Sequence, residues 1–226
     1  MTRKIFPLLV AAAVLAVSCG TANQVTRGER YASLYEEAPV TLLVMPPINN
    51  TANVDAKDLL YTSISRPLVE AGYYVISPIL AMDILKAESA YDGELFFDKP
   101  LGQFGRVFGA DAVVFSVIDS WAKQGVGISA KIRYIVRSTK TDATLFDRSC
   151  DLFLDTSVQT SSKGVLGALL DVALTALNTA LTEHIEAARK ANYFIFRDIP
   201  YGKYSNLYLQ DQEFGAEPQH VRATVK

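Results

Sequence analysis

The strongest constraint on the fold is a change of hydrophobic period between two neighbouring segments. Ala112-Val113-Val114-Phe115-Ser116-Val117-Ile118 is an almost unbroken apolar run closing on Trp121, and reads as a strongly apolar strand. In residues 128–137, Ile128, Ala130, Ile132, Tyr134 and Val136 alternate with polar neighbours. A period of two marks an antiparallel strand with one face in water. Residues 144–154 are its expected hairpin partner, joined through Thr139-Lys140-Thr141-Asp142.

Around this unit the chain alternates strands and helices. Residues 40–45 form a buried strand stopped by Pro46-Pro47. Asp55 is placed to cap a helix over 56–71, with Leu59, Leu60, Ile64 and Leu68 on one side. Pro67 kinks or splits that helix and Gly72 stops it. A short strand at 73–76 precedes a helix opened by Pro78 and running to about residue 87. After a polar loop comes a short helix at 101–108, ended by Gly109. Residues 161–192 are the longest helical segment, with Leu166, Leu170, Ala173, Leu177, Ala180, Leu181 and His184 at three- and four-residue steps. This order predicts an α/β fold: a two-layer sandwich with a mixed sheet of about five strands and helices mainly on one face. The divisions are residues 1–18, a tether at 19–38, an α/β domain at 39–192, and a tyrosine-rich extension at 193–226, expected to be extended and partly ordered.

Residues 1–18 carry an address. Arg3 and Lys4 precede an apolar stretch over residues 5–17 that has signal-peptide length and is short for a bilayer span. It ends in Leu15-Ala16-Val17-Ser18-Cys19, which resembles a lipobox. In that chemistry the Cys19 thiol receives a diacylglyceryl group, the peptide before it is removed, and two or three acyl chains hold the protein in the membrane. An ordinary secretory signal with an incidental cysteine is the other reading. Gly20 after the cysteine, where inner-membrane retention uses Asp, favours the outer membrane, and the lack of an acidic cluster over 21–26 favours its periplasmic face. Cys150 would then be alone, and a place inside a strand is expected for it.

Composition closes off several functions. The 226 residues are 50% hydrophobic and 20% charged, enough for one domain with a real core. With 22 basic and 24 acidic residues the net charge is −2, so nucleic acid is not an expected partner. Two His and two Cys leave little for a metal site, and no metal or cofactor is expected. The Gly-x-Ser-x-Gly elbow and the Gly-x4-Gly-Lys-Ser/Thr phosphate loop are both missing from the sequence. Gly102, Gly105 and Gly109 suit close helix packing, and Gly125-Val126-Gly127 suits a hairpin. Asp111, Asp119, Asp142, Asp147 and Asp151 fall at strand ends and turns, where caps and turns explain them. No catalytic residue is assigned. Tyr73, Tyr74, Trp121, Tyr201 and Tyr204 are candidate partner contacts, since Tyr and Trp are enriched at interfaces; the alternative is that they staple the tail to the domain. The leucines of the long helix cover a sheet or, alternatively, form an oligomer interface.

Several segments together resemble one family. They are the Cys19 lipobox, Leu42-Leu43-Val44-Met45-Pro46-Pro47-Ile48-Asn49-Asn50, Arg66-Pro67-Leu68, Gly72-Tyr73-Tyr74-Val75, Gly109-Ala110-Asp111-Ala112-Val113 and Pro200-Tyr201-Gly202-Lys203-Tyr204. The set resembles the bacterial lipoprotein family typified by a genome-derived Neisseria antigen, whose molecular function is not established. The resemblance implies a domain similar to the N-terminal domain of the periplasmic TolB protein and to lipoprotein activators of penicillin-binding proteins. It also implies a neighbouring lipoprotein like the curli secretion channel. It supplies no catalytic residues. The expectation is a non-enzymatic, lipid-anchored outer-membrane module that docks other envelope proteins. The alternatives are a structural subunit of an envelope assembly with the curli-channel-like lipoprotein, homo-oligomeric or mixed, and an enzyme acting on the cell wall through paired carboxylates.

Overall fold

The computed structural model describes residues 24–125, 127–155 and 172–226, with side chains of 172–182 excepted. The address at 1–18, Cys19, Leu166, Leu169 and Leu170 lie outside the described residues, as do the side chains of Leu174, Leu177 and Leu181. The elements are α1 (Arg27–Arg30), α2 (Ala32–Glu37), β1 (Thr41–Val44), β2 (Ile48–Asn49), α3 (Val54–Ser63), α4 (Ser65–Glu70) and β3 (Tyr74–Val75). They continue with α5 (Pro78–Ala87), α6 (Gly102–Phe108), β4 (Ala112–Gln124), β5 (Gly127–Ser138), β6 (Thr144–Asp155), α7 (Val172–Phe196) and β7 (His220–Val225).

One mixed sheet runs β3-β1-β4-β5-β6-β7, and β2 pairs with β4 beyond β1. β1 lies parallel to both β3 and β4, β4–β5–β6 is an antiparallel meander, and β7 is parallel to β6. Pro46-Pro47 has no N–H to donate, so it breaks the ladder between the Val44↔Val114 and Ile48↔Val117 pairs.

The change of hydrophobic period has a direct structural cause. Val114 and Ile118 face a large core under α3, α4 and α7, while Val113 and Phe115 face a second core under α5 and α6. A strand covered on both faces is apolar at both parities. Over most of β5 and β6 only one face is covered; Ile135, paired with Phe115, is the buried exception on the other. The other carries Arg133 on Asp147 at 2.7 Å, and Asp151 beside Arg222 of β7 at 3.3 Å. Cys150 is buried in β6, as expected for it.

Three expectations are corrected. The cap of α3 is Asn53, whose side chain accepts from the Ala56 N–H at 3.0 Å; Asp55 sits in the first turn instead. The helix of 56–71 is split into α3 and α4 just before Pro67, one of the two outcomes expected of that proline. β4 continues to Gln124, so Trp121 lies within it, past a register shift between Ile118 and Ser120. The extension at 193–226 is built into the domain: its start completes α7, and β7 adds an edge strand. Val221, Ala223 and Val225 pack on the large core, a period-two pattern of the kind that marks β5. At the other end the chain joins the domain well inside the tether, since Tyr31 and Leu34 are buried.

Candidate functional site

α5 is the element whose sequence and surroundings match least. Seven of its ten residues (Ile79, Leu80, Ala81, Met82, Ile84, Leu85, Ala87) are apolar, which covers the helix nearly all round. Ala81 and Leu85 enter the second core with Leu43, Met45, Val113 and Phe115. The opposite side meets solvent: Ile79 is 72% exposed and Leu80 64%. A helix apolar on every side is either fully buried or offers one side to a partner.

α6 and the loop before it extend this surface. Phe96 packs edge-on against Phe104 at 5.2 Å, and Phe97 against Phe115 at 5.6 Å. These rings anchor the loop and leave a groove of about 370 Å³ between α5 and α6. Its walls include Ile84, Leu85, Phe96, Phe104, Val107 and Phe108, with Glu88 and Gln103 as polar lining. Val107, 63% exposed, is the most exposed apolar wall of the groove. The sequence signal for this site was the missing polar face of residues 79–87, which the capping proline at 78 overshadowed.

The five aromatic candidates do not form one surface. Tyr73 is buried and its hydroxyl donates to the Pro200 carbonyl at 2.7 Å. Trp121 is buried elsewhere in the core, donating from Nε1 to His184 Nδ1 at 2.8 Å. Both are therefore corrected from partner contacts to internal fastenings, because their polar ends and most of their ring area are used inside the fold. Tyr201 is half-buried, 5.7 Å from the Arg27 guanidinium. Tyr74 on the β3 edge and Tyr204 remain exposed.

What the structure brings together is the pair of motifs containing these tyrosines. The Gly202 N–H donates to Ala71 O at 2.8 Å, and the Tyr204 N–H to Gly72 O at 2.9 Å. Gly72 adopts φ +94°, and a Cβ there would lie 2.5 Å from Ser205 N. Gly72-Tyr73 and Pro200–Tyr204 are thus one joint, made by backbones that glycine allows to touch.

Beside the joint lies a buried ion cluster. Arg27 Nη1 is 3.1 Å from Asp211, and Arg27 Nε 3.4 Å from Asp198. Asp198 also accepts from Tyr31 Oη at 2.6 Å and from the Glu217 N–H at 3.1 Å. Burial first, and then the hydrogen bond to Asp198, pushes the Tyr31 hydroxyl well above the usual phenol range. With both carboxylates held by Arg27 and backbone donors, the cluster fastens the chain. The turn aspartates act similarly: Asp111 accepts from Val40 and Thr41 N–H, both at 3.0 Å, and Asp142 from Leu101 N–H at 2.7 Å. Among the described residues, no group of three or more His, Cys, Asp or Glu is placed to hold a metal ion, and no helix is long and apolar enough to cross a membrane.

The family described as "Putative lipoprotein GNA1162-like" matches residues 29–198. The "Putative lipoprotein NMB1124/NMB1162" of Neisseria meningitidis serogroup B is 26% identical over 185 residues, covering 78% of this chain and 83% of the relative. The crystal structure of lipoprotein GNA1162 from Neisseria meningitidis is similar at 20% identity and TM-score 0.46, over 63% of this chain and 98% of that one. The PelC dodecamer from Paraburkholderia phytofirmans is similar at 14% identity and TM-score 0.31, over 67% and 88%.

Proposed function

The chain belongs to the GNA1162-like lipoprotein family, and from that membership we propose an outer-membrane lipoprotein, anchored through Cys19 on the periplasmic face, that works without catalysis as a docking module for other envelope proteins. The family and the lipobox ending at Cys19 support the anchor. The observation that carries the docking role is the apolar surface of α5 and α6. Ile79 and Leu80 of α5 stand out in solvent, and the exposed Ile84 and Val107 line a groove floored by core residues. Large exposed apolar side chains clustered on one surface mark interaction sites in soluble domains.

The test is site-specific crosslinking in living cells. A photoreactive amino acid is placed at Ile79, Leu80 or Val107 of the full-length, natively expressed protein. Lys131, exposed on the solvated sheet face, is the control position. The expected result is a discrete adduct with one envelope protein from the α5–α6 positions, missing at residue 131 and lost in Cys19→Ala, which releases the anchor. Adducts with a second copy of the chain would replace docking by an oligomeric assembly. No adduct at any of the three positions would remove the reading.

A further inference from the structure

The first described residues are not a loose leader. The Ala216 N–H donates to Val25 O at 2.8 Å, the Arg27 N–H to Phe214 O at 2.8 Å, and the Gly28 N–H to Gln212 O at 2.9 Å. Thr26 bridges Gly215 and caps α1 through a capping box with Glu29. Arg27 then enters the buried cluster with Asp198 and Asp211. The chain is therefore fixed to the loop at 204–215 from Val25 onward.

Only Gly20, Thr21, Ala22 and Asn23 separate Cys19 from Gln24. Fully extended, those five steps reach roughly 17 Å, at about 3.3–3.6 Å per residue. A domain of this length is roughly 40 Å across. A tether shorter than the domain cannot carry it round, so the edge at which the tether joins is the edge nearest the lipid.

That edge exposes large apolar side chains among the polar Asn206, Gln210 and Gln212. Phe214 is 47% exposed and Leu209 45%, with Tyr204 and Val25 also in solvent. The Phe214 ring is held 5.9 Å from the Arg27 guanidinium, so its position is set. Leu209 adopts φ +59°, a left-handed conformation that glycine or asparagine would take at lower cost. Leu209 lines a small crevice with Leu34, Tyr35 and Tyr73, and that packing accounts for only part of a side chain that leaves almost half its surface in water. The exposed charges of residues 203–216, Lys203 and Glu213, cancel.

We propose that the loop at 204–215 is a bilayer-contact surface, with Leu209 and Phe214 entering the headgroup–acyl boundary of the leaflet that holds Cys19. The proposal rests on the lipid anchor of the preceding section. Because the loop charges cancel, the contact is apolar and insensitive to salt.

The experiment uses the full-length lipidated protein in vesicles of phosphatidylethanolamine and phosphatidylglycerol, after intact-mass measurement of acylation at Cys19. Spin labels are placed by Leu209→Cys and Phe214→Cys, with Val107→Cys as a more exposed apolar control away from the loop. Cys150 stays unlabelled at neutral pH, because it is buried and burial pushes its thiol up to about 11. The expected result is a several-fold higher ratio of oxygen to nickel-chelate accessibility at 209 and 214 than at 107, unchanged by high salt. Equal, water-like ratios at all three positions would overturn the proposal, as would lipid-like ratios at all three. Should Leu209→Cys fail to fold, the label at 214 decides alone. If the mass shows no acyl group, the anchor itself is refuted and the contact falls with it. If acylation is found with water-like labels, the contact alone is refuted.

Discussion

A Cβ added at Gly202 would lie 2.5 Å from the Gly72 carbonyl oxygen and 2.9 Å from the buried Tyr73 ring, which leaves it nowhere to move. Gly202→Ala is expected to destabilise the fold by about 2 kcal/mol, read as a lower urea midpoint at unchanged slope. An unchanged midpoint would show that the two motifs do not touch in solution. Asp111 gives a pH-dependent counterpart. Burial raises its carboxyl pKa, but the Thr41 and Val40 N–H groups and the Lys140 ammonium outweigh burial, and the net shift is downward. A carboxylate with a depressed folded pKa stabilises above its unfolded value, near about pH 4, and the contribution is lost as pH falls through the folded value. Asp111→Ala is therefore expected to cost about 2 kcal/mol at neutral pH, with the difference from the parent protein shrinking below about pH 4. A difference constant from pH 7 to pH 3 would contradict the assignment.

Elements are held at their ends as well as along their faces, and α7 shows how. Its last turn leaves carbonyls without helical partners. Arg148, fully buried on β6, donates to Phe194 O at 3.0 Å and to Ile195 O at 2.7 Å, and its other nitrogen pairs with Glu217. A cation at the negative end of a helix dipole adds to the hydrogen bonds. Arg148→Met keeps the volume but strands two carbonyls, and is expected to cost about 3–5 kcal/mol with loss of near-ultraviolet dichroism before helix content. A near-neutral effect would mean that water takes over the carbonyls. Half of this arrangement was legible in advance. The period of two over 144–154 puts Arg148 at the same parity as Phe146, Cys150 and Leu152, so a charge at an inward position signalled a buried partner. The partner was not legible, because Phe194 and Ile195 lie 46 and 47 positions away and only the tertiary fold aligns them.

At the scale of the whole molecule the legible part was the sheet, and the illegible part was how the chain ends close on it. Local periodicity reports which residues face a core, so β1, β4, β5 and β6 could be read from short windows. Arg27 and Asp211 stand 184 positions apart, and nothing in either neighbourhood marks them as a pair. The tail carries no long periodic run to read, because the loops at 197–219 separate α7 from the six residues of β7. Yet this closure decides whether the ends behave as one unit. Arg27→Met would leave Asp198 and Asp211 buried without their cation, a loss of about 3–5 kcal/mol. If the ends are one cooperative unit, amide exchange at 25–31 and at 211–216 will accelerate together and by the same factor, while β4 and β5 keep their protection until global unfolding. Acceleration confined to 25–31 would instead mean that the tail holds its place without the leader. In that case the ion cluster fastens the leader to an already formed surface.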